Sequence, residues 1–110
     1  MLLHEFITVP FTTGNMSFSA FYGTKMIRIS DDFVLKYHEA IRKVKMYNAG
    51  TGEIIDGLAY YGITVLDSQM AANLKAELLP FFNESEDCRM LIAILEEAIS
   101  QNKHIIHFGV

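Results

Sequence analysis

Tryptophan is absent from this chain, cysteine occurs once and proline twice among 110 residues. A lone cysteine cannot close an internal disulfide, so nothing in the sequence demands an oxidising compartment. No apolar run approaches the roughly 20 residues needed to span a bilayer. The opening Met1-Leu2-Leu3-His4-Glu5 lacks the basic start, long apolar stretch and small-residue cleavage site of a secretory signal. The sequence therefore points to the cytoplasm. Internal repeats, linkers and low-complexity tracts are missing too, and 110 residues suffice for one core but not two. A single domain over residues 1–110 is expected.

Chemistry is scarce as well. Gly50-Thr51-Gly52 lacks the preceding strand and the Lys-Ser/Thr pair of a phosphate loop. Among the histidines, His104 and His107 stand three apart, an odd offset that puts them on opposite faces of a strand. His4 and His38 have no matching ligand nearby in sequence, and no zinc-ligand spacing is present. One terminal-strand histidine is expected to hydrogen-bond near the core and the other to face solvent. Cys88 follows Ser85, Glu86 and Asp87, whose negative charge opposes thiolate formation, and it sits on an apolar stripe; a buried, inert thiol is expected. His38-Glu39 are adjacent on a helix, so their side chains should not face each other. No enzyme activity, cofactor or metal is expected.

Positive charge is the last scarcity, and it is local. Residues 1–50 carry four acidic and six basic side chains, whereas residues 51–110 carry nine and three, so the net charge of −4 is +2 followed by −6. Overall acidity argues against nucleic acid as ligand, because phosphate binding needs clustered Lys and Arg. The basic residues Lys36, Arg42, Lys43 and Lys45 read as the wet face of a helix.

What is present is ordinary globular patterning, 51% hydrophobic and 20% charged. Phe6-Ile7-Thr8-Val9 is β-prone until Pro10, which favours an edge position or a strand end. Thr12-Thr13-Gly14-Asn15 is turn chemistry, residues 16–22 alternate as a half-buried strand should, and Gly23-Thr24-Lys25 turns into the short strand Met26-Ile27-Arg28-Ile29. Ser30-Asp31-Asp32 is a helix start, a hydroxyl cap followed by carboxylates at the positive end of the dipole. Phe33, Tyr37, Ala40, Ile41 and Val44, with Tyr47 at the end, form one stripe that predicts a helix up to the stop Asn48-Ala49-Gly50-Thr51-Gly52. Asp56-Gly57 predicts a hairpin turn within residues 53–61, with a short helix over 53–59 as the rival. Tyr61-Gly62-Ile63-Thr64-Val65-Leu66 reads as a strand. Asp67 caps a helix with the stripe Met70, Leu74 and Leu78, which Pro80 ends. Ser85 caps another that buries Cys88, Leu91, Ile92, Leu95, Ala98 and Ile99. His104-Ile105-Ile106-His107-Phe108 is a terminal strand. The order β-β-β-α-β-α-α-β predicts an α+β fold, a mixed or mainly antiparallel sheet packed with about three helices.

A surface is what remains for function. Glu84, Glu86 and Asp87 cluster at one helix start, Glu96 and Glu97 lie on the outer face of that helix, and Glu53 and Asp56 sit by a turn. Such an excess of negative charge attracts a basic partner and speeds encounter with it. Tyr60 and Tyr61 should take opposite faces of a strand, leaving one exposed as an interface anchor. The candidate partner-binding residues are Asp56, Tyr60, Glu84, Glu86, Asp87, Glu96 and Glu97.

Two stretches, Tyr60-Tyr61-Gly62-Ile63-Thr64-Val65-Leu66-Asp67-Ser68 and His104-Ile105-Ile106-His107-Phe108-Gly109-Val110, resemble small bacterial immunity proteins encoded beside polymorphic toxins of the contact-dependent or Rhs type. The resemblance covers about 16 of the 110 residues. It implies a protein–protein inhibitor that blocks the active or substrate-binding site of a cognate toxin domain, often a basic nuclease, with no nucleic acid or membrane partner; it carries over no catalytic residue. The alternative is a small-molecule-binding or regulatory α+β domain, dimeric in one version, with Tyr60, Tyr61, Phe81 and Phe82 lining an apolar pocket. A hydrolase would need His38, His104 or His107 beside a carboxylate or Cys88.

Overall fold

The computed structural model describes residues 2–9 and 26–110. The chain runs β1 (Leu3–Val9), β2 (Met26–Ser30), α1 (Asp31–Lys36), α2 (His38–Ile41), β3 (Lys45–Asn48), β4 (Ile54–Asp56), β5 (Ile63–Leu66), α3 (Ser68–Leu78), a 3-10 turn (Leu79–Phe81), α4 (Glu86–Ser100) and β6 (His104–Phe108). The described strands form one six-stranded sheet in the order β2-β1-β6-β5-β3-β4, with every pairing antiparallel. The fold is α+β, as the strand and helix patterning predicts. The expected turns at residues 12–15 and 23–25 and the strand at 16–22 lie outside the described residues.

Strand alternation divides the apolar residues between the two faces. Phe6, Ile29, Met46, Leu66 and Ile105 point to the helical side, where they meet Phe33, Val34, Leu74, Leu91, Ile92, Ile94 and Leu95 in the main core. Ile7, Val9, Val65 and Ile106 form a second, smaller cluster on the other face. Each fully buried Leu, Ile or Phe contributes about 1.5–3 kcal/mol of transfer free energy, so the helix-covered face carries most of the stability. β1 is an interior strand, between β2 and β6, and Pro10, expected at an edge or a strand end, lies outside the described residues.

Three caps stand where the sequence places them. Ser30 Oγ accepts from Phe33 N–H at 3.2 Å, Asp67 Oδ1 from Met70 N–H at 2.8 Å and Ser85 Oγ from Cys88 N–H at 3.1 Å. Each satisfies one of the unpaired donors of a helix start. The 3-10 turn follows α3 at Pro80, which cannot donate to a continuing helix.

The predicted helix from Asp31 to Tyr47 is overturned. α1 stops at Tyr37 (φ −103°, ψ 21°), α2 adds one turn, and Lys45–Asn48 is strand. Helical spacing misleads here because Phe33, Tyr37, Ile41 and Val44 are all buried, but the next core residue is Met46, with Lys45 and Tyr47 facing away. Pairing with both β4 and β5 satisfies this segment's backbone better than another helical turn could. Asn48-Ala49-Gly50-Thr51-Gly52 is therefore the bend of the β3–β4 hairpin, closed by Asn48 N–H to Glu53 O at 2.8 Å and Gly52 N–H to Asn48 O at 2.7 Å. Gly52 takes the left-handed conformation there (φ 74°). The hairpin predicted at Asp56-Gly57 is likewise absent. Gly57 (φ 77°) ends β4 pressed against Arg42, whose Cα a Cβ would meet at 3.0 Å. Tyr60 and Tyr61 lie in the loop before β5 and not on the strand.

Candidate protein-binding surface

The starts of α1 and α4 lie side by side. Asp87, in the first turn of α4, accepts from the backbone N–H and the hydroxyl of Ser30 at 3.2 and 2.8 Å. This joint brings the acidic first turns of both helices together: Asp31 and Asp32 from one, Glu86 and Asp87 from the other. Glu84 joins them by accepting from the Tyr37 hydroxyl at 2.6 Å. Between them lies a shallow cleft of about 180 Å³ lined by Ser30, Asp32, Phe33, Lys36, Tyr37, Ser85 and Asp87.

Five carboxylates thus crowd one end of the molecule, with Lys36 3.9 Å from Glu84 and Arg89 3.1 Å from Glu86 as their nearby cations. Both ion pairs are exposed, so each adds well under about 1 kcal/mol to stability. Field, not packing, is what this end offers: it stays negative after its own cations are counted. The hydrogen bond to Glu84, with burial, pushes the Tyr37 hydroxyl up to about 12. Asp31 is held below its usual 3.8 by hydrogen bonds from Tyr60 and His4, so it stays ionised in mild acid.

The predicted partner-binding residues separate in the fold. Glu84, Glu86 and Asp87 belong to the acidic end, and Tyr60 reaches its margin by donating its hydroxyl to Asp31. That hydrogen bond, with burial, raises Tyr60 to about 12. Tyr60 is half-buried and its ring meets His4 edge-on at 5.4 Å; the exposed member of the pair is Tyr61, at 83%. Glu96 lies farther along α4, 3.4 Å from Lys75. Glu97 is partly buried, with Oε2 lacking a partner. Asp56 sits on β4, across the sheet from β2, paired with Lys45. Asp31 and Asp32 are the members that sequence reasoning missed, the signal being the shared Ser-acid-acid pattern at residues 30–32 and 85–87; of the tyrosine pair, the exposed member is Tyr61 and not Tyr60.

The other expectations resolve locally. Cys88 is fully buried, its thiol 3.7 Å from Leu78 O and pushed up by burial. His107 is fully buried and hydrogen-bonded, while His104 is half-buried on the opposite face. His38 and Glu39, expected not to face each other, approach to 3.9 Å on the surface. The aromatic pocket of the alternative reading is not assembled around the cleft. Phe81 packs on Tyr37 at 4.9 Å and Tyr60 on Tyr61 at 4.7 Å, and none of Tyr60, Tyr61, Phe81 or Phe82 lines it. No group of three or more His, Cys, Asp or Glu among the described residues could hold a metal ion. No helix among them is long and apolar enough to cross a membrane.

No family model matches this sequence, and no curated protein does. Among solved structures the fold is similar to that of the Neisseria DNA mimic protein DMP12, with a TM-score of 0.60 and 18% identity. The match covers 98% of this chain and 99% of that one. At this identity the likeness is one of fold.

Proposed function

We propose that this chain is a protein–protein inhibitor. It would dock its acidic end, Asp31, Asp32, Glu84, Glu86 and Asp87, onto the basic, nucleic-acid-binding surface of another protein. The observation that carries the reading is the joint between the starts of α1 and α4, which concentrates carboxylates from two distant stretches of sequence on one face. A fold likeness to a protein described as a DNA mimic supports it: carboxylates standing where phosphates would stand can occupy a cationic cleft by steric and electrostatic means. Tyr61, beside that end, supplies an exposed aromatic of the kind that anchors interfaces.

Within this reading, the partner class we favour is a cognate toxin domain of a polymorphic system, a basic nuclease, with this chain as its immunity protein. The support is the resemblance of residues 60–68 and 104–110 to such immunity proteins. Co-expression tests it. If the neighbouring reading frame encodes a basic carboxy-terminal domain, cells producing that domain should survive with the wild-type chain. They should die with a variant carrying Asp32→Asn, Glu84→Gln and Glu86→Gln. Death in both cultures would remove the immunity role while leaving a different basic partner to be sought.

A further inference from the structure

A chain of hydrogen bonds runs through the interior from β5 to the start of α1. Ala59 N–H donates to Thr64 Oγ1 at 2.8 Å; Thr64 Oγ1 lies 3.1 Å from His107 Nδ1; His107 Nε2 lies 2.8 Å from His4 Nδ1; and His4 Nε2 lies 3.0 Å from Asp31 Oδ1. His4, Thr64 and His107 are fully buried, and the two imidazole planes lie within 18° of each other with ring centroids 5.0 Å apart. None of these groups is used by the docking surface except Asp31 at the far end.

With both imidazoles neutral, the partners fix the direction of every proton. An ionised Asp31 only accepts, so His4 carries its hydrogen on Nε2 and its Nδ1 must accept. His107 therefore donates from Nε2, its own Nδ1 accepts, and the Thr64 hydroxyl donates to it while accepting from Ala59. Five groups are satisfied in one polarity. An added proton has to sit on His4 Nδ1 or His107 Nδ1, the two nitrogens that now accept. A proton on His4 Nδ1 obliges His107 to move its own hydrogen to Nδ1, and a proton on His107 Nδ1 does so directly. Either takes away the acceptor of the Thr64 hydroxyl, which is costly in an interior of low polarity.

The chain also joins separate parts of the fold. Tyr60 donates to Asp31, while Gly109 N–H to Gly62 O (2.8 Å) and Val110 N–H to Tyr60 O (2.9 Å) hold the same loop from the other side. The charged and titratable groups facing the imidazoles are Asp31 on α1, Tyr60 in the loop and, behind Ser30, Asp87 on α4.

We propose that Thr64, His107, His4 and Asp31 form an acid-released latch holding the 59–62 loop, with Tyr60 and Tyr61, against the start of α1. A neutral His107 closes it; opening wets that ring and lets it take up a proton. Burial keeps His107 neutral down to about 3 while it is closed, against about 6.5 when wet. The opening constant therefore rises about tenfold for each pH unit below 6.5. The consequence for docking, that acid would displace Tyr61 from the edge of the acidic end, rests on the proposed function; the latch itself does not.

Amide hydrogen exchange followed by NMR tests it. After correction for intrinsic exchange, protection of the Ala59 amide should fall about a hundredfold between pH 6.5 and 4.5. Low urea should leave it unchanged while accelerating the core amide of Leu91 in α4, which marks the opening as local. His107→Gln, which keeps a donor and an acceptor but does not titrate, should flatten the pH response. Should that variant not fold, imidazole nitrogen shifts of the wild type must show both His4 and His107 as the Nε2–H tautomer at pH 7. Ala59 protection independent of pH, Ala59 following Leu91 in urea, or an Nδ1–H tautomer on either ring would each overturn the latch without touching the acidic surface. Binding that ignores the charge variants would do the reverse.

Discussion

Asp87 braces a helix cap, Ser30, that lies 57 residues earlier: its Oδ2 accepts from both the N–H and the hydroxyl of Ser30, while Ser30 Oγ accepts from Phe33. One carboxylate thus ties the end of β2 and the first turn of α1 to the first turn of α4. Replacing Asp87 with Ala leaves two donors without their acceptor. We expect a loss of about 1–3 kcal/mol in urea unfolding, more than Asp32→Ala or Glu86→Ala, whose carboxylates make no such bond. Equal, small losses at all three positions would show that the joint does not hold the helices together.

Acid should weaken the fold before its carboxylates titrate. His107 is depressed to about 3 in the native state, by burial above all, so the unfolded chain binds more protons between about 6.5 and 3. Stability is therefore complete above about pH 6.5 and declines by about 1.4 kcal/mol per unit as pH falls below it. Urea unfolding at pH 7, 6 and 5 checks this, and His107→Gln should remove most of the slope.

The tyrosines give a second titration. Of five in the chain, Tyr37 and Tyr60 are each held protonated to about 12 by the carboxylate that accepts their hydroxyl, Glu84 and Asp31 respectively. Absorbance at alkaline pH should show a late-ionising step that loses one tyrosine in Tyr37→Phe and one in Tyr60→Phe. Glu84→Gln should bring Tyr37 down without moving Tyr60.

Much of this was legible in the sequence, and what was not has physical causes. Caps at Ser30, Asp67 and Ser85, the stripes of α3 and α4, and the strands ending at Val9 and Leu66 depend on neighbours within four residues, and the sequence shows them. The helix predicted through Tyr47 failed because burial of Tyr37, Ile41 and Val44 continues a helical spacing past the point where strand pairing takes over. In the sequence the acidic end reads as two separate features, Asp31 and Asp32 at a helix start and Glu84, Glu86 and Asp87 in a partner-binding cluster, because Ser30 and Asp87 meet only through tertiary packing. His4 and His107 stand 103 residues apart, so only the β1–β6 pairing (Phe6 opposite His107) brings the imidazoles together.

Gly109 marks a contact that no side chain could replace. A Cβ there would lie 2.1 Å from Tyr60 O, so Gly109→Ala must break the bonds from Gly109 and Val110 to the 59–62 loop. We expect lower thermal stability and faster exchange of the Ala59 amide than in the wild type. An unchanged Ala59 amide in that variant would show that the loop does not depend on this contact.

The central claim is that the acidic end occupies a nucleic-acid-binding site. Competition measures it most directly: the partner is bound to the immobilised chain and challenged with excess duplex DNA, in parallel with added neutral salt and with the Asp32→Asn, Glu84→Gln, Glu86→Gln variant. The account predicts that DNA displaces the partner, that salt slows its association by screening, and that the variant, folded by its unchanged unfolding curve, fails to retain it. A partner held equally by wild type and variant, and indifferent to DNA, would contradict it.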